Sequence, residues 1–339
     1  MSKVSIILPT FNVEIYIARA LHSCVNQTLQ DIEIVVVDDC GKDKSMQIAK
    51  EFASKDSRIK IIHNPKNLGT FHARLRGIEE ASGEYILFLD ADDYLELNAC
   101  ELAYKKAQEG FMGASGVSTY LPDIVFFGMR YDPPTLTRVS PKVITKPLHN
   151  EEILYEVFAH CATPPWHIWA KLYKASHIKR VRTLIVAHMG EDAPLTMAED
   201  VLKSFYSCAL ASLSVGITNR LYVYCASNSS ITRKIDTNTR DKKVSDITRV
   251  INEIAHLDTI PQIAENPSFK TAQEKTLRIL KSVVALEYRY NTPDNMGGGI
   301  IRCIPPYLRA CLASLRYHHK WQTYARILIY MLSLGRKKI

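Results

Sequence analysis

Apolar runs interrupted at regular intervals by polar residues dominate the first ninety positions. Val4 to Leu8 is a near-continuous apolar run stopping at Pro9, the pattern of a strand covered on both faces. Over residues 14–27, Ile15, Ile17, Ala18, Leu21 and Val25 recur at helical spacing. Ile32 to Val37 predicts a second buried strand, ending at Asp38-Asp39. Residues 43–55 predict a helix with Asp43 as candidate N-cap, and Ile59 to Ile62 a short third strand. Asn67-Leu68-Gly69 reads as a turn and 70–81 as a helix. Tyr85 to Leu89 is a fourth strand, running into Asp90-Ala91-Asp92-Asp93. Repeated β-α units predict an α/β fold, a Rossmann-like and mostly parallel sheet flanked by helices. Such sheets bind ligands beyond the carboxyl ends of their strands. Thr10, Asn12, Asp38, Asp39, Asp90, Asp92 and Asp93 all fall there.

Farther along, the pattern predicts a helix over 94–107, a loop over 110–119 and a strand from Asp123 to Met129. A helix follows over 150–160, then a break at Thr163-Pro164-Pro165, a helix over 198–212 and a strand from Leu221 to Cys225. Beyond about residue 240 the pattern is helical, and Gly297-Gly298-Gly299 reads as a hinge. The expected division is a catalytic domain over 1–235 and a helical C-terminal extension over 236–339.

Apolar residues at 47% and charged residues at 23% suit a globular chain and exclude a disordered or collagen-like one. Eight cysteines without a C-x-x-C pair read as reduced, buried thiols. No signal peptide and no spanning apolar segment is read from the pattern. The net charge of +8 is localised. After Asp294 there is no acidic residue, but there are Arg302, Arg309, Arg316, Lys320, Arg326, Arg336, Lys337 and Lys338. Eight of the 43 basic residues lie there, leaving 35 against 35 acidic ones in the body. Interleaved with Leu308, Leu312, Trp321, Tyr324 and Leu328, they predict a basic amphipathic tail lying on an anionic membrane. A packed helical domain with a solvated basic face is the alternative, and nucleic acid is not an expected partner. The expected location is cytoplasmic, peripheral on the inner face of the cytoplasmic membrane.

Carboxylates at a strand end suit a hard divalent cation such as Mn²⁺ or Mg²⁺, which also binds phosphate oxygens. A solvated acidic turn would look the same in isolation. The wider set is more specific. Val4-Ser5-Ile6-Ile7-Leu8-Pro9-Thr10-Phe11-Asn12, Val35-Val36-Val37-Asp38-Asp39, Asn67-Leu68-Gly69 with Ala73-Arg74, and Phe88-Leu89-Asp90-Ala91-Asp92-Asp93 together resemble family 2 glycosyltransferases of the GT-A fold. Trp169-Ala170-Lys171-Leu172-Tyr173, Ala198-Glu199-Asp200 and Asn228-Ser229-Ser230-Ile231-Thr232 extend the resemblance more weakly.

The resemblance implies an inverting, metal-dependent transferase of the hexosyl class, moving a sugar from a UDP-sugar to a glycan or glycolipid acceptor in bacterial surface-glycan synthesis. Pro9, Thr10 and Asn12 would line the nucleoside pocket, and Asp39 would accept the uracil N3–H. Asp90-Ala91-Asp92 would form the D-x-D motif, with Asp92 on Mn²⁺ or Mg²⁺ and Asp90 facing the ribose or a metal-bound water. Arg74 would add a positive contact to the diphosphate, unless it is an exposed helix arginine. Glu199-Asp200 would be the catalytic pair, with Asp200 the base, because inversion needs one carboxylate to take the acceptor proton. Glu191-Asp192 is a rival pair. Trp166, His167 and Trp169 are an acceptor platform or core packing. A sugar-nucleotide pyrophosphorylase would require a glycine-rich loop after the first strand, and Pro9-Thr10-Phe11-Asn12 stands there instead. A dehydrogenase lacks its G-x-G-x-x-G. A non-catalytic nucleotide-sugar-binding module would not need both acidic motifs.

Overall fold

A computed structural model describes residues 2–112, 119–135, 138–190, 195–225, 236–290 and 304–338. The Glu191-Asp192 pair, the Asn228 to Thr232 stretch and the triple glycine lie outside them. Two compact units are present: residues 1–227 with 261–269, and residues 228–260 with 270–339.

The first unit is built on a sheet whose leading strands are β1 (Val4–Thr10), β2 (Ile32–Asp38), β3 (Ile59–His63) and β4 (Tyr85–Phe88). They lie side by side as β3-β2-β1-β4, all parallel. The intervening helices are α1 (Ile17–Val25), α2 (Ser45–Ala53) and α3 (Gly69–Glu80). Alternate side chains of β1 serve opposite faces, as a strand's two-residue period requires. Val4, Ile6 and Leu8 pack with Ile17, Leu21 and Ala49 in one fully buried cluster. Ile7 faces α3, where the helix lies so close that a Cβ on Gly77 would stand 2.4 Å from Ile7 Cγ2. Apolar residues are therefore needed on both faces, which explains the unbroken runs.

Beyond β4 the sheet turns mixed. Counting the two-residue strands β5 (Tyr94–Leu95), β6 (Phe111–Met112) and β7 (Thr119–Tyr120), the long strand is β8 (Ile124–Asp132), followed by the short β9 (Leu148–His149). Strand β10 (Lys171–Lys174) runs antiparallel between β4 and β8, and β11 (Leu213–Cys225) runs parallel to β8. The helix expected over 94–107 is shorter: Tyr94–Leu95 pairs with β11, and α4 spans Ala99–Ala107. The loop expected over 110–119 instead contributes the two strands of a small hairpin, β6 and β7. The segment expected to be helical over 150–160 starts as α5 (Glu151–Leu154) and continues with π-type turns over Tyr155–His160. Residues 174–197, unassigned by pattern, supply α6 (Ala175–Met189), whose Ile178, Val181, Ile185 and Met189 are buried at helical spacing. Helix α7 (Glu199–Leu210) packs against α6. Segment 261–269, which includes α9 (Pro261–Ala264), clusters with the sheet unit, where Phe269 meets Phe205 edge-on at 6.2 Å.

The second unit is helical: α8 (Thr237–Ala255), α10 (Phe269–Glu287, from Lys270 onward in this unit), α11 (Pro306–Leu315) and α12 (Trp321–Leu332). No helix among the described residues is long and apolar enough to cross a membrane. The described cysteines are all free, and Cys24, Cys100, Cys161, Cys208, Cys225 and Cys311 are buried.

Candidate active site

The carboxyl ends of β1, β2 and β4 bring three of the sequence motifs to one edge of the sheet. Thr10 is buried at the end of β1, its hydroxyl donating to the Leu8 carbonyl at 3.2 Å. Pro9 is half-buried and Asn12 exposed. Asn12 adopts φ 52° and its Oδ1 accepts the Lys42 N–H at 2.8 Å, joining the loops after β1 and β2. Cys40 has φ 61°, Ala170 φ 53° and Ala198 φ 58°. Left-handed backbone at non-glycine residues is uncommon and strained. Here it recurs after β1, after β2, before Lys171 and before Glu199, beside four of the candidate motifs.

Asp39 is 2% exposed. Its Oδ1 accepts from Asn64 Nδ2 (2.8 Å) and the Leu68 N–H (2.9 Å), and its Oδ2 from the Gly69 N–H (2.8 Å). The carboxylate thereby braces the Asn67-Leu68-Gly69 turn and the start of α3. Glycine is required at 69: its φ is +84°, and a Cβ would stand 2.9 Å from Thr196 Cγ2.

Five residues further along α3 is Arg74, buried to 2% exposure. Its Nη2 donates to Asp90 and its Nη1 to both Glu199 and Asp200, the last at 2.6 Å. One guanidinium thus ties the acidic motif after β4 to the acidic pair at the start of α7, more than a hundred residues away in sequence. Of the two expectations for Arg74, the exposed helix arginine is ruled out: the side chain is buried, and its two terminal nitrogens are engaged by three carboxylates. Lys203, one turn after Glu199, pairs with it and lies over the Phe71 ring at 5.1 Å. Two buried cations therefore face three carboxylates. Burial pushes the Asp200 carboxyl up, but Arg74 and Lys203 outweigh it and hold the group below its ordinary value. For Glu199 burial wins over Arg74, and its carboxyl is raised. The two differ in access as well: the Asp200 side chain keeps 26% exposure and that of Glu199 7%. Ionised and reachable, Asp200 can accept a proton from a ligand. Both sit in the first turn of α7, where the helix dipole favours negative charge.

Asp90 and Asp92 are part-exposed, with Ala91 buried between them. Asp93 points inward. It accepts from the Tyr222 hydroxyl (2.7 Å) and the Cys225 N–H (2.7 Å), while Tyr222 Oη accepts the Asp90 N–H at 3.3 Å. Burial, with Asp90 and Asp92 close by, pushes Asp93 up to about 8. Tyr222 also stacks on Trp169 at 4.9 Å, and Trp169 on His167 at 4.0 Å. Trp166 leans instead on Phe158. Beneath them Lys171 is buried, its ammonium donating to the Pro165 (2.9 Å) and His167 carbonyls, and burial lowers it to about 7. Lys171 thus fixes the loop that presents the aromatic rings. Tyr222 and Lys203 are site residues that pattern reading does not single out. For Lys203 the i, i+4 spacing from Glu199 was a usable signal; Tyr222 had none beyond its place on a strand.

Among the described residues no three His, Cys, Asp or Glu side chains converge as a complete metal cage. Asp90 and Asp92 offer hard oxygens that fit an ion shared with a ligand's phosphates, the usual arrangement for Mg²⁺.

Residues 5–160 match the sequence profile of glycosyl transferase family 2. An uncharacterized glycosyltransferase of Bacillus subtilis, EpsJ, is 32% identical over 229 residues, covering 68% of this chain and 62% of that protein. The glycosyltransferase GlyA of Streptococcus pneumoniae is 32% identical over 234 residues, covering 68% of this chain and 32% of that protein. The chain thus spans less than two thirds of either relative. Among solved structures, S. aureus TarS 1–349 in complex with UDP-GlcNAc superposes with a TM-score of 0.58 at 18% identity, covering 98% of this chain and 88% of that one. That likeness carries the fold, a GT-A sheet with its helices. Profile, relatives and fold agree with the motifs at the sheet edge, and through residues 5–160 the chain belongs to glycosyl transferase family 2.

Proposed function

We propose that the protein is an inverting hexosyl-class transferase that moves a sugar from a UDP-sugar to a hydroxyl of a glycan or glycolipid acceptor in bacterial surface-glycan synthesis. The observation that carries this reading is the buried Arg74, which holds Asp90 and the Glu199–Asp200 pair around one point. A donor-side and an acceptor-side carboxylate are thereby kept at a fixed spacing, which transfer between two bound substrates needs.

In this reading Pro9, Thr10 and Asn12 line the nucleoside. Asp39 Oδ2, which carries one donor, is the candidate acceptor for the uracil N3–H. Asp90 and Asp92 hold Mn²⁺ or Mg²⁺, which when bound offsets the negative charge on the departing diphosphate. Asp200 takes the acceptor proton as the hydroxyl oxygen attacks the anomeric carbon from the side opposite UDP, which inverts that centre. Glu199, too buried to meet a substrate, positions Asp200 through Arg74. His167 and Trp169 offer aromatic faces to the acceptor, with the buried Tyr222 stacked behind Trp169. The UDP-GlcNAc bound by TarS supports a uridine donor. The basic, apolar surface of α12 supports peripheral attachment to an anionic membrane.

Calorimetry with UDP, CDP and GDP, with Mn²⁺ and with EDTA, tests the donor half. UDP should bind best and lose at least ~10-fold in affinity in EDTA, about 1.4 kcal/mol. Asp200→Asn should keep UDP affinity while turnover falls ~10²–10⁴-fold. Equal UDP affinity with and without metal rejects the metal assignment, and normal turnover of the Asp200 variant rejects the base.

A further inference from the structure

The helical unit contains a cavity that transferase chemistry does not use. Residues of α8, α10 and α11 surround about 580 Å³, within the ~300–1,000 Å³ common for small-ligand sites. Its floor is apolar, made by Ile251, Val284 and Ala310 among others, and Lys281, Arg309 and Arg316 stand around it. No acidic side chain lines it among the described residues. Lys281 and Arg316 are exposed, so the charged side faces solvent.

This combination selects its occupant. A free anion would meet the cations but leave the floor wet, and a neutral amphiphile would cover the floor without using the charges. A molecule with a hydrocarbon chain and a phosphate head satisfies both, by apolar burial and by charge-assisted hydrogen bonds. The neighbouring surface suits the same chemistry. Helix α12 packs on α11, with Tyr330 stacked on Tyr307 at 4.8 Å. It exposes Trp321, Leu328, Met331 and Leu332, and Arg336, Lys337 and Lys338 follow it, all exposed. An apolar and basic surface of this kind fits the bilayer interface.

We propose that this cavity binds the hydrocarbon chain of a single anionic lipid, with its phosphate on Lys281, Arg309 and Arg316. The site is lined by residues of the helical unit alone, so it stands or falls independently of the transferase reading.

The test uses the full chain and dodecyl phosphate below its micelle concentration, followed by calorimetry, with dodecyl maltoside and inorganic phosphate as comparisons. Dodecyl phosphate should bind saturably at one site, at least ~10-fold tighter than either comparison. The double substitution Lys281→Glu/Arg316→Glu, at exposed positions, should remove that preference and leave dodecyl maltoside binding unchanged. Ala313→Trp should fill the cavity and abolish binding of both amphiphiles. If circular dichroism shows that this variant is unfolded, the charge-reversed protein decides. Trp321→Ser/Leu328→Ser should weaken binding to phosphatidylglycerol vesicles while sparing dodecyl phosphate. Equal affinity for dodecyl phosphate and dodecyl maltoside, no effect of charge reversal, or loss of dodecyl phosphate binding in the α12 variant would each overturn the proposal.

Discussion

Replacing Arg74 with methionine keeps the bulk of the side chain but withdraws the positive charge on which the site is assembled. Three carboxylates, Asp90, Glu199 and Asp200, would then face Lys203 alone. Each charge pair at about 4 Å is worth ~4 kcal/mol in gross attraction at an effective dielectric near 20. Desolvation cancels much of that in the native protein, so the net cost of removing one partner from a buried ion pair is ~3–5 kcal/mol. Arg74→Lys should recover part of it, because one ammonium cannot reproduce the fork in which Nη1 serves two carboxylates and Nη2 a third. The deficit should depend on pH with a definite sign. Asp200 is held below its ordinary value of 3.8 by Arg74, so its stabilising contribution is present above that value and lost as pH falls through the lower folded one. The methionine variant lacks this contribution, so this part of its deficit should be level above about pH 4 and shrink as pH falls below 3.8. Glu199, which Arg74 pulls down against burial, would be raised further in the variant and enlarge the deficit at the alkaline end. Urea unfolding at about pH 3, 6 and 8 measures it. A variant within ~1 kcal/mol of wild type at pH 8, or a deficit that grows toward acid pH, would refute the assignment of Arg74 as the charge that holds the site together.

Asp93 gives a prediction of opposite slope. Its folded value of about 8 lies above the ordinary 3.8, so the native state binds more protons than the unfolded one between those values, and stability falls as pH rises across that window by up to ~1.4 kcal/mol per unit. Asp93→Asn, which can still accept from the Cys225 N–H, should flatten that part of the stability profile and be relatively more stable at pH 8; an unchanged slope in thermal or urea unfolding would count against it. Flotation with phosphatidylglycerol vesicles at moderate salt should carry the wild-type protein and fail with Trp321→Ser/Leu328→Ser, while neutral vesicles should carry neither; equal flotation of both proteins would exclude α12 as the contact surface.

The alternation of apolar runs and helical spacings by itself determined the first half of the sheet. Strands covered on both faces must be apolar throughout, and helices lying on them must repeat near 3.6, so Val4–Thr10, Ile32–Asp38, Ile59–His63 and Tyr85–Phe88 announce themselves locally. The strand ends follow from the same logic, and with them the positions of Asp39, Asp90 and Asp92. Local pattern could not reveal β10, because a four-residue strand with lysine at each end has no period to read, and Lys171 is buried with its ammonium received by the Pro165 and His167 carbonyls, a geometry that exists only once the preceding loop is folded. Nor could it give the state of a charged side chain. Arg74 on a helix looks alike in sequence whether it faces solvent or three carboxylates, and nothing local shows that Asp39 braces the turn at Asn67-Leu68-Gly69. Spacing along a chain constrains neighbours a few residues apart. The partners of Arg74 come from positions 16, 125 and 126 residues away, and only closure of the sheet and docking of α7 decide that they meet.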